Sequence, residues 1–165
     1  MILTMLIVSI TLAISFSIYS ISIKEVVLGS YIRESEKAFL AADRGMECAL
    51  FWDRAVLPGP NGLQYSPFPT STDWTDESII TANAVCNLGG GTGAGTRIDS
   101  SGWVVSGLTA NQGFTIYNQT FTDGTYAEIE VEKAGINTII TSNGYNTPPA
   151  GARRTQRTIV ARYNL

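Results

Sequence analysis

Histidine is absent from the 165-residue chain, which removes the commonest general base and the commonest metal ligand. Cysteine is nearly absent: Cys48 and Cys86 are too few for a structural zinc site or a disulfide-dense scaffold, and they suffice for one bridge. Charge is scarce, at 15% of residues, and the net value of −3 excludes the basic excess of a general nucleic-acid binder. No nucleophile–base pair or metal-ligand cluster stands out, so neither an enzyme nor a bound cofactor is expected. Residues 1–23 lack charge, glycine and proline altogether.

That uncharged run is the first positive feature. At about 1.5 Å per residue it gives roughly 35 Å of helix, enough to span a bilayer core. A signal peptide would need a basic start and a small-residue cleavage site. No Lys or Arg precedes the run, and Lys24-Glu25 follows it. Positive charge belongs on the cytoplasmic side of a span, and here only the amino group could supply it. The simplest account is a short basic leader already removed, which makes Met1 a processed end.

The helix is expected to continue past the apolar run. From Lys24 to Leu57 there is no proline, Gly29 and Gly45 are the only glycines, and good helix formers dominate. Leu28, Ile32, Phe39, Ala42, Met46 and Leu50 recur at steps of three, four and seven, marking one apolar stripe. Ile32, Phe39, Met46 and Leu50 are therefore expected to pack on a sheet. Glu34–Lys37 and Arg44–Glu47 are spaced to pair at i,i+3, and Pro58 should end the element. The expectation is one helix of about 55 residues, roughly 80 Å long. Its first half is apolar all round and its second half has one apolar face. A single-pass anchor with a membrane-proximal helix fits the same pattern, as does a rod sheltered by copies of itself.

Beyond the helix the chain turns polar. Residues 58–78 hold four of the six prolines among Ser, Thr, Asn and Gly, and read as turns. Strand candidates follow at Ser78–Asn87, Gly102–Val105, Gln112–Phe121, Thr125–Lys133, Ile136–Thr141 and Arg153–Tyr163. Alternation is clearest where Ala127, Ile129 and Val131 interleave with Glu128, Glu130 and Glu132. Asp123-Gly124 reads as a hairpin turn and Ala134-Gly135 as a second tight connection. The fold class is α+β: a long N-terminal helix on an antiparallel sheet, with residues 1–28 as the stem and 29–165 as the globular head.

Glu36–Arg54 (EKAFLAADRGMECALFWDR) resembles the stem of bacterial type IV pilin-like proteins with an AAD-x-G-x-ECAL-x-WD pattern. Tyr126–Val131, Ser142–Thr147 and Ala152–Tyr163 look like the closing strands of that group; residues 55–110 carry no such likeness. The resemblance implies the pilin fold and a structural role in an extracellular filament. The implied partners are other copies of the chain, the inner membrane before assembly, a prepilin peptidase and the pilus assembly machinery. A surface or host-cell receptor is a further implied partner. Polymerisation would fall to Met1, Ile2, Leu3, Met5, Leu6, Ile7, Ile10, Leu12, Ile14 and Phe16. Adhesion, motility and DNA uptake are all compatible roles, as are those of a minor pilin or pseudopilin and of an anchored adhesin. Two departures stand out. Such pilins begin with Phe and carry Glu at position five, where this chain has Met1 and Met5. They also often carry a proline near position 22, where this chain has Ser22. A continuous stem is expected, with Ser15, Ser17, Ser20 and Ser22 bonding back to their own helix.

Smaller features have plain readings. Cys48 and Cys86 are expected to form a disulfide, two buried thiols being the alternative. Gly89–Gly95 lacks the Gly-Lys-Ser/Thr ending of a phosphate loop, and Asp73, Asp76 and Glu77 do not have EF-hand spacing; both read as exposed loops. Glu128, Glu130 and Glu132 are expected to pair with arginines near the last strand, Arg154, Arg157 and Arg162 with Arg153, within or between subunits. DNA contact by those arginines is a lesser reading. Asn118-Gln119-Thr120 matches a glycosylation sequon.

Overall fold

The computed structural model describes residues 1–55, 57–58, 64–65, 67–70, 85–86, 96–97, 99–151 and 154–164. Helix α1 runs unbroken over Ile2–Arg54. No proline interrupts it, and Ala55 N–H closes the last turn on Phe51 C=O at 3.0 Å. Residues 14–23 are helical, as the lack of a proline at 22 leads one to expect. Ser15 donates to Thr11 C=O at 2.8 Å; among the described residues Ser17, Ser20 and Ser22 make no such bond. The chain forms two compact units, Met1–Glu34 and Ser35–Leu165.

The second unit holds the end of α1 and a five-stranded sheet. Its strands are β5 (Asp99–Thr109), β6 (Gln112–Thr120), β7 (Tyr126–Ala134), β8 (Asn137–Tyr145) and β9 (Gln156–Asn164). They lie in sequence order and every pair is antiparallel, an up-and-down meander. Two small ribbons accompany it: β1 (Leu57–Pro58) with β2 (Gln64–Tyr65), and β3 (Val85–Cys86) with β4 (Thr96–Arg97). This is the expected α+β arrangement, a long N-terminal helix and an antiparallel sheet, and it matches the description of a pilin-like fold.

Local chemistry explains the turns. Gly124 takes φ +79° in the β6–β7 hairpin and Gly135 takes φ +63° between β7 and β8, conformations that cost a side chain about 1–2 kcal/mol. Both sit where the sequence marks tight connections. β5 is longer than Gly102–Val105 because pairing with β6 carries it through two register shifts. β8 extends to Tyr145, and β9 starts at Gln156. Of the candidate Ser78–Asn87, only Val85–Cys86 is described. Gly89–Gly95, Asp73, Asp76, Glu77 and Arg153 lie outside the described residues.

The core forms between α1 and one face of the sheet. Ala127, Ile129 and Val131 are buried on β7, while Glu128, Glu130 and Glu132 point to the other face. Tyr117 and Ile140 flank them. Phe68 stacks on Tyr117 with ring centroids 5.9 Å apart.

Candidate functional site

The first unit is helix with its apolar side chains in the open. Met1, Ile2, Leu3, Met5, Leu6, Ile7, Ile10, Leu12, Ile14 and Phe16 are all exposed, none below 50%. Up to Phe16 its side-chain hydroxyls are satisfied internally. Thr4, Ser9 and Thr11 donate to Met1, Leu6 and Val8 carbonyls at 2.7, 2.9 and 2.9 Å, and with Ser15 they account for every hydroxyl up to Phe16. That first stretch can leave water without stranding a hydroxyl donor. It is the one described helix long and apolar enough to cross a membrane. No acidic residue lies in its first turn, so position five offers no carboxylate to an amino group.

Where α1 meets the sheet it uses small residues. The buried positions are Ala38, Ala41, Ala42, Gly45, Met46, Cys48, Ala49, Trp52 and Asp53. This corrects the expected stripe. Met46 is buried and Leu50 half-buried, but Phe39 is 51% exposed; Ile32 falls in the first unit. The cause is close approach. A Cβ on Gly144 of β8 would come within 2.7 Å of Ala38 O, Ala42 N and Ala42 Cα, and one on Gly45 would lie 2.7 Å from Ser142 Oγ. Backbone resting on backbone leaves no room for Phe39, which turns outward with Leu40 and Phe51.

Polar ties fix the Ser35–Arg54 part of the helix to the sheet. Arg157 Nε donates to Ser35 Oγ at 2.8 Å. Arg44 pairs with Asp123 at 2.6 Å, across elements rather than with Glu47. Asp123 Oδ1 also accepts from Thr125 N–H at 3.0 Å and Thr125 Oγ at 2.6 Å. Partial burial pushes the Asp123 carboxyl up, but the bonds from Thr125 and Arg44 outweigh it and hold it below the usual range. Cys48 and Cys86 form a disulfide. In the last turn, Asp53 meets Lys133 at 2.5 Å and accepts the Tyr163 O–H at 2.6 Å. Burial, then the Asp53 carboxylate, raises the Tyr163 phenol far above its ordinary value.

Within one chain the expected glutamate–arginine pairs do not form among the described residues. Arg154 lies over the Tyr145 ring at 3.5 Å and beside Tyr126 at 5.9 Å. Arg157 is opposite Gly144, on the helix side. Arg162 shares a face with Glu132, but Ile139 of β8 stands between them. An intervening strand defeats pairing that spacing along the chain cannot foresee. The sequon falls inside β6, with Asn118 paired to Asp99 and Glu128 and Gln119 fully buried. Sequence reasoning missed the Asp53–Lys133–Tyr163 cluster. Its one local signal is a carboxylate placed in the apolar run Leu50–Asp53.

The chain finds no match among protein-family models, curated proteins or solved structures.

Proposed function

We propose that this chain is the structural subunit of an extracellular type IV pilus-like filament, held in the inner membrane before assembly and polymerised through α1. The observation that carries the reading is the extent of exposed apolar surface on one helix. A bilayer core covers about 20 residues of helix. Exposed large apolar side chains begin at Met1 and recur through Val26, Tyr31, Phe39 and Leu40 to Phe51. Lipid accounts for the first part, and protein neighbours account for the whole. Repeated side-to-side contacts between copies would be heterologous, so the assembly stays open-ended. Processing by a prepilin peptidase and handling by pilus assembly machinery belong to the same proposal. So does service in adhesion, motility or DNA uptake.

The membrane-spanning potential of α1 also favours a second reading, a single-pass anchored domain. One experiment separates them. Changing Ile7 or Leu12 to Lys places an unpaired charge in the proposed fibre core. Fibres should vanish from the cell surface while the head keeps its disulfide and protease resistance. Fibres persisting with the charge in place would refute the filament reading. A parent protein that forms no fibre and extracts only as a detergent-bound monomer would favour the anchor. A chain present in sheared fibres only in trace would point to a minor pilin.

A further inference from the structure

Asp53 occupies an unfavourable place. It lies in the last turn of α1, where the negative end of the helix dipole repels a carboxylate, and its side chain has no solvent exposure. Two groups face it. Lys133 Nζ, on a side chain only 13% exposed, is 2.5 Å from Oδ1 yet lies off hydrogen-bonding directions. Tyr163 donates its O–H to Oδ2 at 2.6 Å. Register explains the meeting: Gly113, Lys133, Thr138 and Tyr163 form one row across four strands on the helix side. Thr138 is buried, Gly113 adds no side chain, and Tyr163 packs on the apolar core.

We propose that Asp53 and Lys133 join in an intramolecular amide, a covalent cross-link between the end of α1 and β7. Moving one proton from Nζ to Oδ1 gives a neutral amine against a neutral acid, the reactive forms. The Nζ lone pair then forms a bond to Cγ, while the Tyr163 O–H steadies the negative charge that builds on Oδ2. The Cγ–Oδ1 bond breaks and Oδ1 leaves as water with two of the three ammonium protons. Atoms and charges balance, and no oxidant, reductant or activating nucleotide is needed. Condensation of free acid and amine is unfavourable in water. Fixed groups, however, act at effective concentrations of about 10⁵–10⁸ M, and the product removes two buried charges. The proposal is independent of the filament reading.

The test is the intact mass of the purified full-length chain after reduction and alkylation. The expected value is one water below the mass of the sequence with both cysteines alkylated, and digestion should yield a branched peptide joining Asp53 to Lys133. Lys133→Arg keeps a cation opposite Asp53 but should restore the full mass and separate the two peptides. Asp123-Gly124 could lose water by another route, and the branched peptide distinguishes the two. Full mass in the parent chain would overturn the proposal. So would a water loss that survives Lys133→Arg.

Discussion

Replacing Gly144 with alanine tests the helix–sheet seat most directly. Gly144 sits on β8 beneath the stretch of α1 where the Ala38 carbonyl and Ala42 amide face each other at i,i+4 spacing. The added Cβ would fall 2.2 Å from Ala38 O, 2.2 Å from Ala42 N and 2.7 Å from Ala42 Cα. Ordinary non-bonded contact needs about 3.5 Å, so the helix would have to recede by roughly 1 Å or more. Overpacking usually costs about 1–3 kcal/mol when side chains can yield. Here both partners are backbone, which places the expected loss near 3 kcal/mol. For a folded unit of this size each kcal/mol moves the melting midpoint by about 3–5 °C, so the variant should melt roughly 10 °C lower. Thermal melts of the full chain in mild detergent, followed by near-ultraviolet circular dichroism, would measure it. Gly29→Ala is the comparator: nothing lies within 4 Å of its added Cβ, so helix propensity should leave it unchanged or up to about 1 kcal/mol more stable. A Gly144→Ala protein melting with its parent would refute the close-packed seat.

Three other outcomes are expected. Cys86→Ser should lower stability by about 4 kcal/mol in the chain-entropy model for a sequence separation of 38; denaturant melts showing less than about 1 kcal/mol would mean the bridge constrains little. Asp123 has a lowered pKa when folded. Its contribution is therefore present above the ordinary carboxylate value of about 4 and fades as pH falls through the lowered value. Asp123→Asn should flatten that acid limb in melts across pH, and an unchanged limb would exclude the residue. Arg154→Ala removes a cation from the Tyr145 face and should cost about 1 kcal/mol, partly recovered by lysine.

Legibility in the sequence followed the range of the interaction. The helix was readable because its cause is local: uncharged residues, two isolated glycines and no proline before Pro58. β7 and its flanking turns were readable for the same reason, through strict alternation and Asp-Gly chemistry. The buried side of α1 was not. Periodicity weighs side chains by size and so selects Ile32 and Phe39. The seat is chosen instead by Gly144, about a hundred residues away, whose missing Cβ favours alanines. The glutamates and arginines were recognised as charged rows, but which strand would lie between them depends on the meander order. Asp53 and Lys133 meet for reasons of register alone. Pairing distant in sequence leaves no trace in a window of neighbours.

The fastenings between helix and sheet are graded in strength along the chain, and this matters under load. Among the ties described above, a pull entering from the N-terminal side meets the Ser35–Arg157 hydrogen bond, then glycine–alanine contact, then the solvent-facing Arg44–Asp123 pair. Only after these does it meet the Cys48 bridge and, in the final turn, the enclosed Asp53. Stretching would therefore peel the helix a turn at a time from its weakly held end and stop at Cys48. The last turns of α1 would stay docked while the preceding ones absorb the strain.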